Sequence, residues 1–309
     1  MAQPTPVNII AFPGAPNLPL FAAQEQGSFA RHGLKVELET TTSSVSQFKR
    51  FGAGEFDLAF TAFDNVVAYR EGQGAAKLDG IPDFRVIMGA SQVELSLVVS
   101  PKIASVADLK GQSLALDAVG TGFAFVLYAM LETHGLARED YEPVAVGATP
   151  ERWQSVKAGA HAGTLTIEPF TSIAQAAGFK ILARSTDGFP AYQGGIVAAR
   201  GDWARGHGET VKAFIRAYRE GLDWALDPAH RAAATALLQQ RMPEIKPGVV
   251  EAVMTSLLSP RSGLTPGGEI LRAGMQAVLA LRSHYGPGAQ LADVERYLDL
   301  SFFNAVTGG

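Results

Sequence analysis

The sequence of 309 residues contains no cysteine. This absence excludes disulfide bonds, thiolate metal sites and cysteine nucleophiles. Charge is also sparse, with 26 basic and 30 acidic residues, and neither sign is concentrated in a run or a tail. Nucleic-acid binding requires a basic face or arm, so we predict no nucleic-acid partner.

Long apolar runs and a targeting segment are missing as well. The apolar stretch 118–131 is too short and too rich in glycine to span a bilayer. No signal peptide is visible, and the polar leader at residues 1–6 resembles the trimmed start of an exported protein. We therefore expect a soluble periplasmic protein whose signal peptide is absent from this sequence.

The chain instead alternates short apolar strands with helices. Strand patterns occur at 7–12, 34–38, 57–60, 85–88, 95–99, 113–116, 144–146, 163–167, 180–183 and 195–199. This alternation predicts mostly parallel sheets covered on both faces, an α/β fold. From residue 209 onward the pattern is helical, with apolar side chains at steps of three and four. Further helices are predicted at 231–241, 249–258, 268–285 and 293–304.

The length of the chain favours two lobes over one. Extended segments near 95–99 and 195–199 are interpreted as crossings that form a hinge. We predict that 1–95 and 200–309 form lobe one, including the C-terminal helices, and that 96–199 form lobe two, inserted. A weak sequence similarity between residues 53–57 and 158–162 supports two similar lobes, since both segments end a helix and begin a strand.

Several loose motifs occur in an order that covers nearly the whole chain. They are PLFAA at 19–23, GSF at 27–29, HGLKVE at 32–37, GEFDLA at 54–59 and EPF at 168–170. In this order the chain resembles the binding proteins of ABC importers for sulfonates, taurine, nitrate and thiamine-type pyrimidines.

The resemblance implies a two-lobed type II periplasmic binding protein fold with a two-strand hinge and C-terminal helices. It also implies a monomer without catalysis or cofactor, which captures a small molecule and delivers it to the transmembrane subunits of an ABC permease. One departure is Ala162, where the family places an aspartate, whereas the corresponding Asp57 of the first lobe is present. We interpret that aspartate as a structural residue that bonds the backbone.

Residues that follow the predicted strands are candidate ligand contacts, because open α/β sheets bind ligands beyond the carboxyl ends of their strands. In the first half of the chain these candidates are Phe12, Asn17, Thr42, Ser43, Thr61, Phe63, Asp64 and Glu94. Structural roles stay open beside this one: a core position for Phe12, helix caps for Asn17, Ser43 and Asp64, and a solvated hinge acid for Glu94.

In the second half the candidates are Gly120, Thr121, Gly122, Phe123, Thr149, Arg152, Glu168 and Tyr192. Glycines at 120–123 let backbone approach a polar ligand, but the third glycine of a dinucleotide site and the lysine of a phosphate loop are missing. Arg152 could clamp a carboxylate or sulfonate with two parallel hydrogen bonds, or be a surface arginine. By the resemblance Glu168 borders the cleft, and Tyr192 could stack on a planar ligand or simply pack.

The sequence offers no metal site and no catalytic motif. The six histidines lack metal-ligand spacing, and no Gly-x-Ser-x-Gly elbow occurs. An enzyme on the same fold is the main alternative. The iron-dependent pyrimidine synthase related to the family needs a cysteine-rich segment, which this sequence without cysteine cannot supply. A sensor module is the other alternative, but it would bring a DNA-binding or membrane segment, and the sequence shows neither. We predict a protein that is not an enzyme.

The charges among the candidate loops indicate the class of ligand. Acids at 64, 94, 117 and 168 outnumber the arginines at 152 and 184, and aromatic side chains lie nearby. Because unpaired buried charge is costly, we predict a small organic ligand with a planar or apolar body and hydrogen-bond donors, such as a heterocycle. An organic carboxylate or sulfonate, held by Arg152 and the helix starts at Ser43 and Thr121, is the alternative.

Overall fold

A computed structural model describes residues 3–308, which form ten strands and fourteen α-helices. The strands are β1 (Thr5–Ala11), β2 (Leu34–Thr40), β3 (Leu58–Ala62), β4 (Phe84–Ser91), β5 (Ser96–Val99), β6 (Ser113–Leu116), β7 (Glu142–Ala145), β8 (Gly163–Thr166), β9 (Lys180–Arg184) and β10 (Gly195–Arg200). The helices are α1 (Leu18–Glu25), α2 (Ser28–Arg31), α3 (Ser44–Gly52), α4 (Phe63–Arg70), α5 (Gly122–Thr133), α6 (Thr149–Lys157), α7 (Phe170–Ala176), α8 (Ser185–Gly188), α9 (Gly201–Gly206), α10 (Gly208–Leu226), α11 (Arg231–Arg241), α12 (Pro247–Leu257), α13 (Arg272–Tyr285) and α14 (Ser301–Thr307).

The first sheet has the strand order β2-β1-β3-β10-β4. Strand β1 pairs in parallel with β2 and β3, whereas β10 runs antiparallel to β3 and β4. Side chains of β1 alternate between two clusters of buried residues, with Ile10 in one and Ile9 in the other. Both faces of this sheet are therefore covered, as the apolar strand patterns predict.

The second sheet repeats this arrangement, with the order β7-β6-β8-β5-β9. Its β6 pairs in parallel with β7 and β8, and its β5 runs antiparallel to β8 and β9. In each sheet the antiparallel strand occupies the fourth place and is the first strand after the chain arrives from the other sheet. The α/β fold predicted from the sequence is thus observed as two sheets of one topology.

Asp57 plays the structural role predicted for it. Its carboxylate accepts a 2.8 Å hydrogen bond from the backbone N–H of Asn8, and its own N–H donates to the Asn8 carbonyl at 2.8 Å. At the corresponding place in the second sheet, the backbone N–H of Ala162 donates to Ser113 O at 2.9 Å. The backbone bond is therefore retained where the aspartate is replaced.

The two extended segments interpreted as crossings are strands of different sheets. Ser96–Val99 is β5 of the second sheet, and Gly195–Arg200 is β10 of the first. The chain passes between the sheets at 92–95 and again at 185–194. The predicted boundary at 200 therefore lies after a strand that belongs with the first sheet. Residues 196–199 are apolar on both faces, a pattern that predicts a buried strand without showing which sheet it joins.

The C-terminal helices begin and end differently from the prediction at two places. Helix α13 begins at Arg272, because residues 266–268 form a separate 3-10 turn in which Gly267 is left-handed, with φ 65°. The predicted helix 293–304 is a 3-10 turn, Val294–Tyr297, followed by α14. The predicted apolar face of α10 is buried, and the helix lies on α1. Helix α13 contacts both α4 and α5. None of the helices in residues 3–308 is long and apolar enough to cross a membrane.

Candidate functional site

A cavity lies between the two sheets, beyond the carboxyl ends of their strands. It offers about 100 Å³ of space to the centres of water molecules. One water molecule needs about 10–15 Å³ on this measure, so the cavity can hold a small organic molecule. It is lined by Phe12, Gly14, Pro16, Asn17, Phe60, Thr61, Ala62, Asn65, Ala90, Ser91, Val93, Asp117, Thr121, Gly122, Phe123, Thr149, Arg152, Ile167, Gly194, Gly195 and Ile196.

The wall of the cavity is largely apolar and carries a few polar groups. The amide nitrogen of Asn17 donates to Phe12 O at 2.8 Å, and that of Asn65 donates to the Thr61 hydroxyl at 3.0 Å. These bonds orient both amides while their oxygens have no protein partner within residues 3–308. Small-molecule sites have this composition, since apolar walls supply affinity and a few oriented polar groups supply specificity.

Arg152 lines the cavity, but its guanidinium is largely engaged by the protein. Its Nε donates to the Thr164 hydroxyl at 3.1 Å, and Nη1 donates to Gly147 O at 3.0 Å. Its Nη2 donates to the Thr149 hydroxyl at 2.9 Å and to Leu165 O at 3.0 Å. Burial lowers the pKa of Arg152 to about 10. A guanidinium has five N–H groups, so one remains free and the predicted two-bond clamp on an anion does not fit.

Asp64 does not contact the cavity as a ligand residue, nor does it cap its own helix. It is buried and forms an ion pair with Arg282, with both oxygens 2.6 Å from guanidinium nitrogens. Its Oδ2 also accepts from the backbone N–H of Gly122 at 2.6 Å, across the boundary between the sheets. Arg282 lies over 200 residues away in sequence, so the sequence pattern could not indicate this pairing.

The predicted residues divide between the cavity and other positions. Those that line the cavity are Phe12, Asn17, Thr61, Thr121, Gly122, Phe123, Thr149 and Arg152. Those outside its lining are Thr42, Ser43, Phe63, Asp64, Glu94, Gly120, Glu168 and Tyr192. Phe63 is fully buried with its ring centroid 5.9 Å from that of Tyr297, and Tyr192 is buried with its ring centroid 6.4 Å from that of Phe123.

Thr42 and Ser43 act through the backbone and as a helix cap. Thr42 O accepts a 2.8 Å bond from the N–H of Ala148, which joins the two sheet regions. The hydroxyl of Ser43 accepts from Ser46 N at 3.0 Å, so Ser43 is the N-cap of α3. The capping alternative that the sequence left open for Ser43 is the one observed.

Glu94 and Glu168 lie at a separate, smaller pocket beside the cavity. Glu94 pairs with Arg184 and accepts a 2.9 Å bond from the Thr186 hydroxyl. Glu168 accepts a 2.9 Å bond from the Ser172 hydroxyl. Burial raises the pKa of Glu168, while the Ser172 bonds and the charge of Arg184 act in the opposite direction. Both acids thus have protein partners and lie outside the lining of the larger cavity.

Several lining residues were missed as candidates. Asn65 directly follows Asp64, and Ser91 ends β4, so the rule that ligands bind beyond strand ends could have found both. Gly194 to Ile196 line the cavity because β10 is an interior strand of the first sheet, between β3 and β4. Only the sheet order places that strand beside the site. Within residues 3–308 no group of three or more histidines or acids is arranged to hold a metal ion.

Residues 16–232 match the family model described as NMT1/THI5 like. The periplasmic nitrate-binding protein NrtA from Synechocystis PCC 6803 is 14% identical at a TM-score of 0.81, covering 99% of this chain and 89% of that one. The alkanesulfonate-binding protein SsuA from Xanthomonas axonopodis pv. citri, bound to MOPS, is 19% identical at 0.72, covering 92% and 93%.

A structure described as the desulfurization enzyme DSZB also matches, at 14% identity and a TM-score of 0.67, covering 98% of this chain and 99% of that one. At these identities the likeness concerns the fold. It confirms the periplasmic binding protein fold. The family model over residues 16–232 confirms the family resemblance stated from the motifs. Since one match is an enzyme and others are binding proteins, the fold alone does not separate the two.

Proposed function

The chain belongs to the NMT1/THI5-like family, and from this premise we propose that it is the solute-binding component of an ABC importer. It works outside the cytoplasm as a monomer, captures a small organic molecule and delivers it to the transmembrane permease subunits. Residues 1–95 and 200–309, together with β10, form one lobe around the first sheet. The residues between them form the other lobe, and the hinge lies at 92–95 and 185–194.

The observation that carries this proposal is the cavity and its place in the fold. Both sheets contribute strand ends to it, so a bound molecule would touch both sides at once. A ligand with such contacts favours the closed arrangement over an open one, since it interacts with both sides only when they are together. This geometry supports the proposal that the protein closes by a hinge around its solute.

The lining supports an organic ligand with a planar or apolar body, such as a heterocycle. Phe12, Phe123 and Ile167 lie on the wall, and aromatic rings stack well on planar molecules. The alternative is an organic carboxylate or sulfonate, which is favoured by the structural match to the alkanesulfonate-binding protein. Arg152 has only one N–H group left for a ligand, and this supports the first of these two classes.

We propose binding without turnover. Of the described residues that line the cavity, none is a histidine. The two charged side chains of the lining, Asp117 and Arg152, form hydrogen bonds with backbone groups of the protein. This arrangement provides no paired nucleophile and base. A bound solute should therefore be recovered chemically unchanged, as judged by mass spectrometry, after prolonged incubation with the protein.

The proposal is tested by filling the cavity. Ala62 lies on its wall, and Ala62→Leu places a larger side chain in the space a ligand would take. In a thermal-shift screen of heterocycles, amides, carboxylates and sulfonates, we expect the unmodified protein to gain stability with its solute. Ala62→Leu should lose that gain, whereas Ala53→Leu on an exposed helix end should keep it. A gain that Ala62→Leu retains in full would contradict the proposed site.

A further inference from the structure

Two charged side chains line the cavity among the described residues, Asp117 and Arg152. Four of the five N–H groups of Arg152 donate hydrogen bonds to Thr164, Gly147, Thr149 and Leu165. The side chain can therefore donate at most one hydrogen bond to a ligand. Its charge is also partly balanced, because Asp117 and Glu151 raise its pKa against the effect of burial. The cavity therefore lacks a free cationic clamp.

Asp117 occupies the N-terminus of α3. The backbone N–H of Ser44 donates to its two carboxylate oxygens at 3.0 and 3.2 Å. Asp117 follows β6 of the second sheet, whereas α3 follows β2 of the first, so this contact crosses between the two sides. Helix N-termini attract anions, and this one already holds a carboxylate of the protein itself.

A similar contact occurs at the start of α5, which also borders the cavity. Asp64, from the first sheet region, accepts from the N–H of Gly122 at the start of α5, in the second sheet region. There the charge is balanced by Arg282 in a pair with no solvent exposure. The starts of α3 and α5 thus each hold a carboxylate of the protein itself, and Asp117 is the carboxylate that faces the cavity.

We infer that the cavity selects an uncharged molecule that donates hydrogen bonds, and that Asp117 is the residue that sets this selectivity. The inference rests on the proposed solute-binding function. An anion would meet the Asp117 carboxylate at short range, in a partly buried site where charges are poorly screened. A cation would meet Arg152 in the same space. An uncharged donor avoids both costs, and a carboxylate has about four acceptor positions, so Asp117 can bind it and Ser44 together.

The test uses compounds that share a body and differ in charge. One set is benzamide, benzoate and benzenesulfonate, and the other is propionamide, propionate and ethanesulfonate. Calorimetry measures each against the unmodified protein and Asp117→Asn, which keeps an oxygen for the Ser44 N–H and removes the charge. Asp202→Asn is the matched control, because Asp202 is 76% exposed and lies in α9 after the first sheet.

We expect the unmodified protein to bind each amide about tenfold or more tightly than its anions, and Asp117→Asn to reduce that ratio about tenfold. Asp202→Asn should leave the ratio unchanged. The inference is overturned if the unmodified protein prefers the anions, if Asp117→Asn keeps the original ratio, or if none of the six compounds binds. Tight binding of an anion would leave solute binding itself intact, whereas the proposed function fails only if no compound of the wider thermal-shift screen binds.

Discussion

Arg282 and Asp64 form an ion pair in which neither side chain is exposed to solvent. Arg282 also donates to Gln73 at 2.9 Å and to Gly120 O at 3.0 Å, so it joins three separate segments of the chain. Its helix, α13, lies against both α4 and α5. At the scale of single residues, this guanidinium is a buried polar group that joins the C-terminal helices to the region around the cavity.

Replacing Arg282 by alanine should be strongly destabilising. The change leaves the Asp64 carboxylate buried without its partner, and such losses cost about 3–5 kcal/mol. Arg272→Ala is the matched control, because the Arg272–Glu295 pair is 55% and 60% exposed. Exposed pairs contribute about 0–1 kcal/mol. Urea unfolding of both variants measures the difference, and equal free energies of unfolding would contradict this role for Arg282.

At the scale of elements, helix α5 begins unusually close to α4. A Cβ placed on Gly122 would lie 2.4 Å from the Cβ of Asp64, well inside contact distance. Asp64 is held by Arg282 and cannot move aside cheaply. The glycine predicted to let backbone approach a ligand therefore also lets two helices approach each other.

Gly122→Ala should consequently push α5 away from α4. We expect a loss of about 1–3 kcal/mol of unfolding free energy, the usual cost of overpacking. Gly120→Ala is the control for a glycine-to-alanine change in the same loop without a steric clash, since a Cβ at Gly120 meets nothing within 4 Å. Chemical denaturation of the two variants compares them directly. If Gly120→Ala were as costly as Gly122→Ala, the close approach of the helices would not be the cause.

At the scale of the whole molecule, four backbone N–H groups within residues 3–308 donate across the boundary between the sheet regions. The donors and acceptors are Ala15 to Glu168 O, Ala148 to Thr42 O, Ser44 to the Asp117 carboxylate and Gly122 to the Asp64 carboxylate. These bonds surround the cavity and form only when the two sides are close together. They define the closed arrangement to which a bound solute would contribute further contacts.

Closure should be visible in solution scattering. Addition of a solute found in the thermal-shift screen should reduce the radius of gyration, because a ligand that touches both sides favours the closed form. With Ala62→Leu the same concentration should leave the radius of gyration unchanged, since the cavity is filled. A scattering profile of the unmodified protein that does not change at saturating solute would argue against hinge closure.

Local patterns in the sequence determined much of this architecture. Apolar runs such as 7–11 and 196–199 indicated buried strands, and the stripe of Val211, Phe214 and Tyr218 indicated the face of α10 that packs on the core. Half of the candidate residues chosen because they follow strands line the cavity, among them Asn17, Thr61 and Thr149. These features depend on side-chain periodicity and on turns between adjacent elements, which a sequence displays directly.

Only the tertiary structure decided which residues pair across the chain. Asp64 is 218 residues from Arg282, and Asp117 is 73 residues from Ser44. A carboxylate after a strand has the same local signature whether it binds a ligand, caps a distant helix or joins a buried pair. Its partner depends on sheet order and on how the two sheet regions meet. The contact between the two sheet regions decides which charged side chains are buried and which are paired. The selectivity that we infer for the cavity could therefore not be predicted from its residue types alone.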